Sequence, residues 1–288
     1  MRTGYMITAL ASAFALGMVP AASAQQVAKG VNTATADRLY TIDCGLTQFE
    51  DAAYFADTGE YDGKSLALPT PCYLVRHGKD WLLWDTGNGD KLAALPGGKT
   101  KFGGRFTVKR TLVGQLAQLG LKPDDIRFVA LSHLHQDHTG NIPLFPKATF
   151  LIATSELAWA QSNPTPFGVD AKAIGPLTQD HVDASDDDRD VFGDGSVRIL
   201  KAPGHTPGSR MMLVRLPNTG PVLISGDLFH TRQNYEKNLV PSVNLSRADT
   251  VASEQRFAGL AANTHARVVI QHAPEDFAAM PAFPKYLN

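Results

Sequence analysis

The sequence predicts an α/β or α+β fold in which β-sheet is covered by helices. Three observations lead there. Short apolar runs of strand length alternate with segments whose apolar residues recur at helical spacing. Four of the apolar runs break off at glycine, histidine or aspartate, so several strands deliver polar side chains from their ends. No repeat, low-complexity tract or linker divides the chain.

The elements follow in order. Met1-Arg2, an uncharged apolar run from Met6 to Val19 and Ala22-Ser23-Ala24 before Gln25 have the form of a secretory signal peptide over residues 1–24. The run is shorter than the roughly 20 apolar residues that a membrane span needs. The expectation is export, to the periplasm or the medium, of one domain over residues 25–288. Residues 25–37 read as a flexible leader, Leu39–Ile42 and Cys72–Arg76 as strands, and Phe49–Leu68 as a long loop beside a pocket. Trp81–Asp85 is a strand closed by Thr86-Gly87-Asn88-Gly89. Thr107–Leu119 has helical spacing (Val108, Leu112, Leu116, Leu119) and stops at Gly120. A strand follows at Phe128-Val129-Ala130-Leu131, another at Ala148–Ala153, then a short helix at Ser155–Gln161 and an irregular stretch over Pro164–Pro176. Val197–Leu200, Met211–Arg215 and Val222–Ile224 are strands. Asp249–Ala262 is a helix capped by Asp249 or Ser246, and Val268–Ile270 is the last strand.

Composition excludes some functions. With 27 basic and 28 acidic residues the chain is nearly neutral, so neither nucleic acid nor an anionic membrane is expected as a partner. The acidic run Asp183–Asp190 reads as a solvated loop. The two cysteines, Cys44 and Cys72, sit in strand-like segments of an exported chain; a disulfide and a pair of buried thiols both remain open.

The chemistry concentrates in Ser132-His133-Leu134-His135-Gln136-Asp137-His138-Thr139-Gly140. Three imidazoles and a carboxylate fall within six positions at the end of an apolar strand. Burying such groups is costly unless they are paired or bind a metal, and imidazole with carboxylate suits zinc. Three later strands end alike: Val197–Leu200 leads to His205 in Pro203-Gly204-His205-Thr206-Pro207-Gly208, Val222–Gly226 to Asp227, and Val268–Gln271 to His272. Four such ends in one chain predict a dinuclear site.

These motifs, HLHQDH, GHTPGS, SGDLF and the late His272, resemble the metallo-β-lactamase fold superfamily. The resemblance implies an αββα sandwich, two mixed sheets flanked by helices, with metals at one edge. It implies that His133, His135 and His205 hold one metal, that Asp137, His138 and His272 hold the second, and that Asp227 bridges them. Two Zn²⁺ are the expected cofactors, with Mn, Fe or Co compatible with the same ligands. Asp85 resembles the family's aspartate that orients a ligand imidazole.

Within the superfamily the chain is most similar to the N-acyl homoserine lactonases. Asp227 sets it apart from β-lactamases, which lack the bridging aspartate, and His135 from the diiron oxidoreductases, which carry Glu there. The spacing from His205 to Asp227 and on to His272, and the strand-like Leu68–Leu74, suit the lactonases. The implied reaction is ring opening of a small lactone by a hydroxide held between the metals. In it Asp137 moves a proton to the leaving oxygen and His230 donates to the oxyanion. His230 stands where these lactonases often carry Tyr; Tyr235 is a nearby substitute, and a surface position for His230 is the plain alternative. An organophosphate triesterase or a glyoxalase II-like thioesterase are the alternatives on the same metal set. Phe49, Tyr54, Phe55, Tyr61, Trp159 and Phe167 are candidates to line an acyl groove. A homodimer is compatible with the sequence.

Overall fold

The computed structural model describes Met1, Gly4, residues 34–178 and residues 180–288; apart from Met1 and Gly4, the signal-peptide reading of residues 1–24 lies outside the described residues. The first sheet starts with two long antiparallel strands, β1 (Arg38–Phe49) and β2 (Leu66–His77), so the expected loop shrinks to the residues between them. β3 (Asp80–Trp84) pairs antiparallel with β2. β4 (Lys99–Lys101) and β5 (Gly104–Thr107) form a hairpin on the free edge of β1, which the sequence reading did not include. Helix α1 covers Leu112–Gln118 rather than starting at Thr107. Thr107 belongs to β5, and the Thr111 side chain caps the helix by accepting from the Gly114 N–H.

The chain then alternates. β6 (Phe128–Ala130), α2 (Gln136–Thr139), β7 (Thr149–Ile152), α3 (Thr154–Ala160), α4 (Ala171–Ile174) and β8 (Val182–Ala184) follow one another. β3, β6, β7 and β8 lie parallel in that order. Helix α4 lies inside the stretch expected to be irregular, where the Asp170 side chain accepts from the Lys172 N–H.

The second sheet comprises β9 (Arg189–Asp190), β10 (Val197–Lys201), β11 (Arg210–Leu216), β12 (Gly220–Ile224) and, beyond two helices, α5 (Arg232–Lys237) and α6 (Arg247–Thr264), the parallel edge strand β13 (Arg267–Val269). Ser246, one of the two expected caps, accepts from the Asp249 N–H at the head of α6. Helix α7 (Pro274–Ala279) and β14 (Tyr286–Leu287), which returns to β1, complete the chain. The acidic run is not a free loop: β8 and β9 take its ends, Asp186 accepts from Ser155, and Asp188 pairs with Arg256.

Side-chain alternation explains the layers. On β2 and β3, Tyr73, Val75, Leu82 and Trp84 point inward and meet Val197, Ile199, Met212, Val214 and Ile224 of the second sheet. Their neighbours Leu74 and Leu83 point outward and pack against Leu112 and Leu116 of α1. On the far side Met211, Leu213 and Leu223 pack against Phe257 of α6. Strands buried on both faces need apolar residues at every position, which is why they read as unbroken runs. The result is helices, sheet, sheet, helices: the αββα sandwich of two mixed sheets. The described residues from 34 onward form one unit. Cys44 and Cys72 are disulfide-bonded, tying β1 to β2 beside a register shift between Asp43 and Leu46. Among the described residues no helix is long and apolar enough to cross a membrane.

Candidate metal centre

The parallel strands place the centre. β3, β6, β12 and β13 all run toward one edge of the sandwich, and the segments just past their ends carry Asp85, His133, Asp227 and His272. Strand ends at one edge of an open sheet leave a crevice between diverging loops. Into it the loop after β6 also brings His135, Asp137 and His138, and the loop after β10 brings His205.

Two clusters result. In the first, His135 Nδ1 lies 2.9 Å from His133 Nε2 and 3.0 Å from His205 Nε2. In the second, His138 Nε2 and His272 Nε2 lie 3.3 Å apart, with Asp137 Oδ2 3.6 and 3.8 Å from them. Asp227 serves both. Its Oδ1 faces the second cluster, 3.0 Å from His272 and 3.3 Å from His138. Its Oδ2 faces the first, 3.7 Å from His205 and 3.8 Å from His133. Ring nitrogens about 2.0–2.1 Å from a tetrahedral ion stand about 3.3 Å from one another, close to what is found here. Asp227 Oδ1 is buried without a hydrogen-bond donor among the described residues. Converging nitrogens, a buried acceptor and a pure His/Asp donor set fit a divalent metal site, and within each cluster, Asp227 included in the second, the donor atoms of the expected ligands lie within 4.8 Å of one another.

The outward ring nitrogens are held too. His133 Nδ1 contacts Ser132 Oγ at 3.1 Å, His205 Nδ1 contacts Asn244 Oδ1 at 2.8 Å, and His272 Nδ1 contacts the Pro69 carbonyl at 2.7 Å. His138 Nδ1 lies 2.8 Å from Asp85 Oδ2. Such contacts fix tautomer and ring orientation. Asp85 is fully buried and also accepts from the Ser132 N–H, the Ser132 hydroxyl and Gln271 Nε2. It adopts a left-handed backbone with φ of 60°, a strain of order 1 kcal/mol that four donors offset. Around His135 the packing is tight: a Cβ on Gly168 (φ 85°) would come within 2.5 Å of the ring.

Burial and charge divide the imidazoles. Desolvation pushes His135 down to about 3 and His205 down to about 4, and pushes His133 well below its ordinary value, so the first cluster offers neutral rings. Burial acts the same way on His138 and His272, but Asp227 and Asp137 outweigh it and both are raised. Asp227 is held well below the carboxylate range by His272, His138 and His133, against its burial. The second cluster therefore carries the negative field that favours a cation.

One of two alternatives for the oxyanion donor is placed away from the site. Tyr235 does not reach the cleft; it packs between Phe229 and Phe257 on the outer side of α5. His230 is buried, not on the surface, with Nε2 3.3 Å from Asp227 Oδ2 and Nδ1 without a partner among the described residues. It lines a cleft of about 80 Å³ above both clusters, together with Phe49, Tyr54, Phe55 and Phe167. Phe102, Phe106 and Val243 complete the apolar wall and were not read from sequence. Tyr61 lies behind it, hydrogen-bonded to Thr231, and Trp159 backs His135 with ring centres 5.7 Å apart.

One further residue was missed. The fully buried Glu156 carboxylate on α3 accepts from the Leu134 N–H at 2.8 Å and the Gly208 N–H at 3.0 Å. Leu134 lies between His133 and His135, and Gly208 lies three residues past His205, so one side chain fastens both loops of the first cluster. Burial pushes this carboxyl up, opposed by the donors around it.

Residues 66–272 match the family described as the metallo-beta-lactamase superfamily. An N-acyl homoserine lactonase AttM of Azorhizobium caulinodans is 32% identical over 86% of this chain and 96% of its own length. The chain belongs to this superfamily and, within it, to the N-acyl homoserine lactonase family. The AttM lactonase of Agrobacterium fabrum is likewise 32% identical, over 86% of this chain and 98% of its own length. Among solved structures, an N-acyl homoserine lactone hydrolase with N-hexanoyl-L-homoserine bound at its catalytic metal center superposes with a TM-score of 0.77. It has 25% identity and covers 88% of this chain and all of that one.

Proposed function

We propose that this protein is a dinuclear metal hydrolase that opens the lactone ring of N-acyl homoserine lactones, with two Zn²⁺ held by His133, His135, Asp137, His138, His205, Asp227 and His272. The observation that carries the reading is Asp227, whose two oxygens face two separate imidazole clusters on the floor of an apolar-walled cleft. The 32%-identical lactonases favour the lactone over a phosphotriester or thioester. When bound, a divalent metal pair polarises a carbonyl and makes water a nucleophile at neutral pH.

The chain supplies the rest. Water adds to the lactone carbonyl carbon, the ring C–O bond breaks, and the product is the acyl homoserine carboxylate. Asp137, half-buried at the cleft wall, takes the proton from the attacking water and returns it to the departing ring oxygen. His230, which lines the cleft with Nε2 3.3 Å from Asp227 Oδ2, donates an N–H to the carbonyl oxygen as charge builds there. Phe49, Phe55 and Phe167 exclude water and hold the acyl chain. The N-terminal segment supports an exported protein, periplasmic or secreted, with one mature hydrolase domain over residues 25–288.

The test is metal content with hydrolysis rates on a panel: short- and long-chain acyl homoserine lactones, a thioester, an organophosphate triester and a β-lactam. About two zinc ions per chain, with lactone turnover lost in Asp227→Ala and His133→Ala, is the expected result. Preference for the triester or thioester keeps the metal site and overturns the substrate. Activity indifferent to a chelator and to both substitutions removes the whole reading.

A further inference from the structure

Next to the metal cleft lies a second cavity of about 220 Å³. Four of the chain's 13 lysines line it: Lys91, Lys99, Lys101 and Lys172. Lys99 and Lys101 lie two apart on β4, so both side chains leave the same face of the strand. Lys91 comes from the turn before that hairpin and Lys172 from α4 across the cavity. One carboxylate stands in the wall, Asp170, and Lys101 takes it at 2.9 Å. Among the described residues Lys91, Lys99 and Lys172 have no carboxylate partner. Like charges around a concave wall raise the local potential, and an anion relieves it.

The cavity is not isolated. Phe106 and Gln136 line both it and the metal cleft, and Gln136 is flanked by His135 and Asp137. These two side chains form the boundary that the acyl part of a ligand seated over the metals would cross to reach the basic cavity.

We propose that this cavity is a second substrate subsite that takes an anionic group, a carboxylate carried at the far end of an acyl chain whose ester or lactone sits over the metal clusters. The proposal rests on the lactonase reading for the ester part of the ligand and on the lysine cavity alone for the anion. The enzyme then prefers acyl chains ending in carboxylate over chains of equal length ending in a neutral group. Each exposed charge pair contributes little. Three lysines on one carboxylate are expected to give about a tenfold preference, weakening with salt.

The experiment uses the zinc-loaded protein and a Lys99→Met/Lys172→Met variant, which keeps apolar stems in place of the charges. Calorimetry compares a homologous series of alkanedioates with the matching alkanoates. One carboxylate of either ligand can reach the metals, so only the diacid's second carboxylate reads the lysines. The expected result is a diacid of suitable length binding the wild type about tenfold tighter than its monoacid. That advantage disappears in the variant, whose monoacid affinity, metal content and melting temperature are unchanged. A parallel kinetic arm compares kcat/KM for a lactone with a carboxylate-ended acyl chain and for its methyl ester. An equal diacid advantage in wild type and variant overturns the proposal. So does no advantage at any length. Lysine-dependent binding of inorganic phosphate without a diacid advantage also overturns it, since the cavity then holds a free anion and not a substrate tail. If neither lactone is turned over while the diacid result holds, the subsite stands and the lactonase reading falls.

Discussion

Glu156→Gln tests whether the first metal cluster is held from behind. In the wild type one buried carboxylate accepts from two backbone N–H groups, one in each ligand loop. A glutamine has one acceptor oxygen, so its amide nitrogen must face either the Leu134 or the Gly208 N–H. One bond is lost with its donor left buried, which costs about 1–3 kcal/mol, and the other loses its charge assistance. Relief of the buried charge returns part of that. The net, about 2 kcal/mol, falls on the loops carrying His133, His135 and His205. The expected outcome is zinc affinity lower by about 10–100-fold, measured by competition with a chromophoric chelator, and an altered visible spectrum in the cobalt-substituted protein. Glu156→Asp, one methylene short, does not rescue either signal. The reasoning is refuted if the folded Gln variant binds zinc within about threefold of wild type with an unchanged cobalt spectrum. A drop in global stability alone would then make Glu156 an ordinary core anchor.

Two further outcomes concern stability. Glu254 on α6 is pushed up to about 7 by burial, with Arg247 opposing and Asp57 adding to the shift, and its Oε1 has no partner among the described residues. A carboxyl held above its ordinary value of 4.5 binds more protons folded than unfolded between those limits, so stability falls as pH rises from about 4.5 to 7. Glu254→Gln removes that slope and stabilises the protein above pH 7 by about 1–2 kcal/mol, a few degrees in Tm. Parallel Tm–pH curves for the two proteins would contradict this. The Cys44–Cys72 bond closes a loop across a sequence separation of 28, worth about 3.5 kcal/mol of unfolded-state entropy. Reduced wild type and Cys44→Ala/Cys72→Ala should lose about that much in denaturant melts. A midpoint unchanged after thiol titration has shown both cysteines reduced would refute it.

The residues of the two His/Asp clusters were legible because each is encoded locally. A strand must stop before its polar end group, and four short windows carry that signature without reference to one another. The strands themselves were legible for the same reason: burial on both faces leaves an apolar run. The β4–β5 hairpin and α4 carry no such mark. They lie on the surface, rich in lysine, glycine and small residues, and are shaped by pairing with β1 and by the Asp170 cap. The phase of a short helix was equally hidden. His230 and Tyr235 are five residues apart, yet the turn at Thr231 sends one into the cleft and the other against Phe257.

Glu156 shows where such reading stops in principle. Within Thr154-Ser155-Glu156-Leu157-Ala158-Trp159-Ala160 a glutamate is what the exposed face of any amphipathic helix carries. Its partners are backbone N–H groups, and backbone donors leave no trace in residue identity. The same holds for the Pro69 carbonyl that orients His272. Side chains that bind the metals are chosen for their chemistry and can be named from sequence. The groups that aim them need only a donor or acceptor in the right place, and many residue types supply one. Tertiary packing alone decides which does. The specificity of this chain is therefore expected to lie in surfaces that converge from distant segments, the aromatic cleft and the lysine cavity, while the reaction type lies in the motifs.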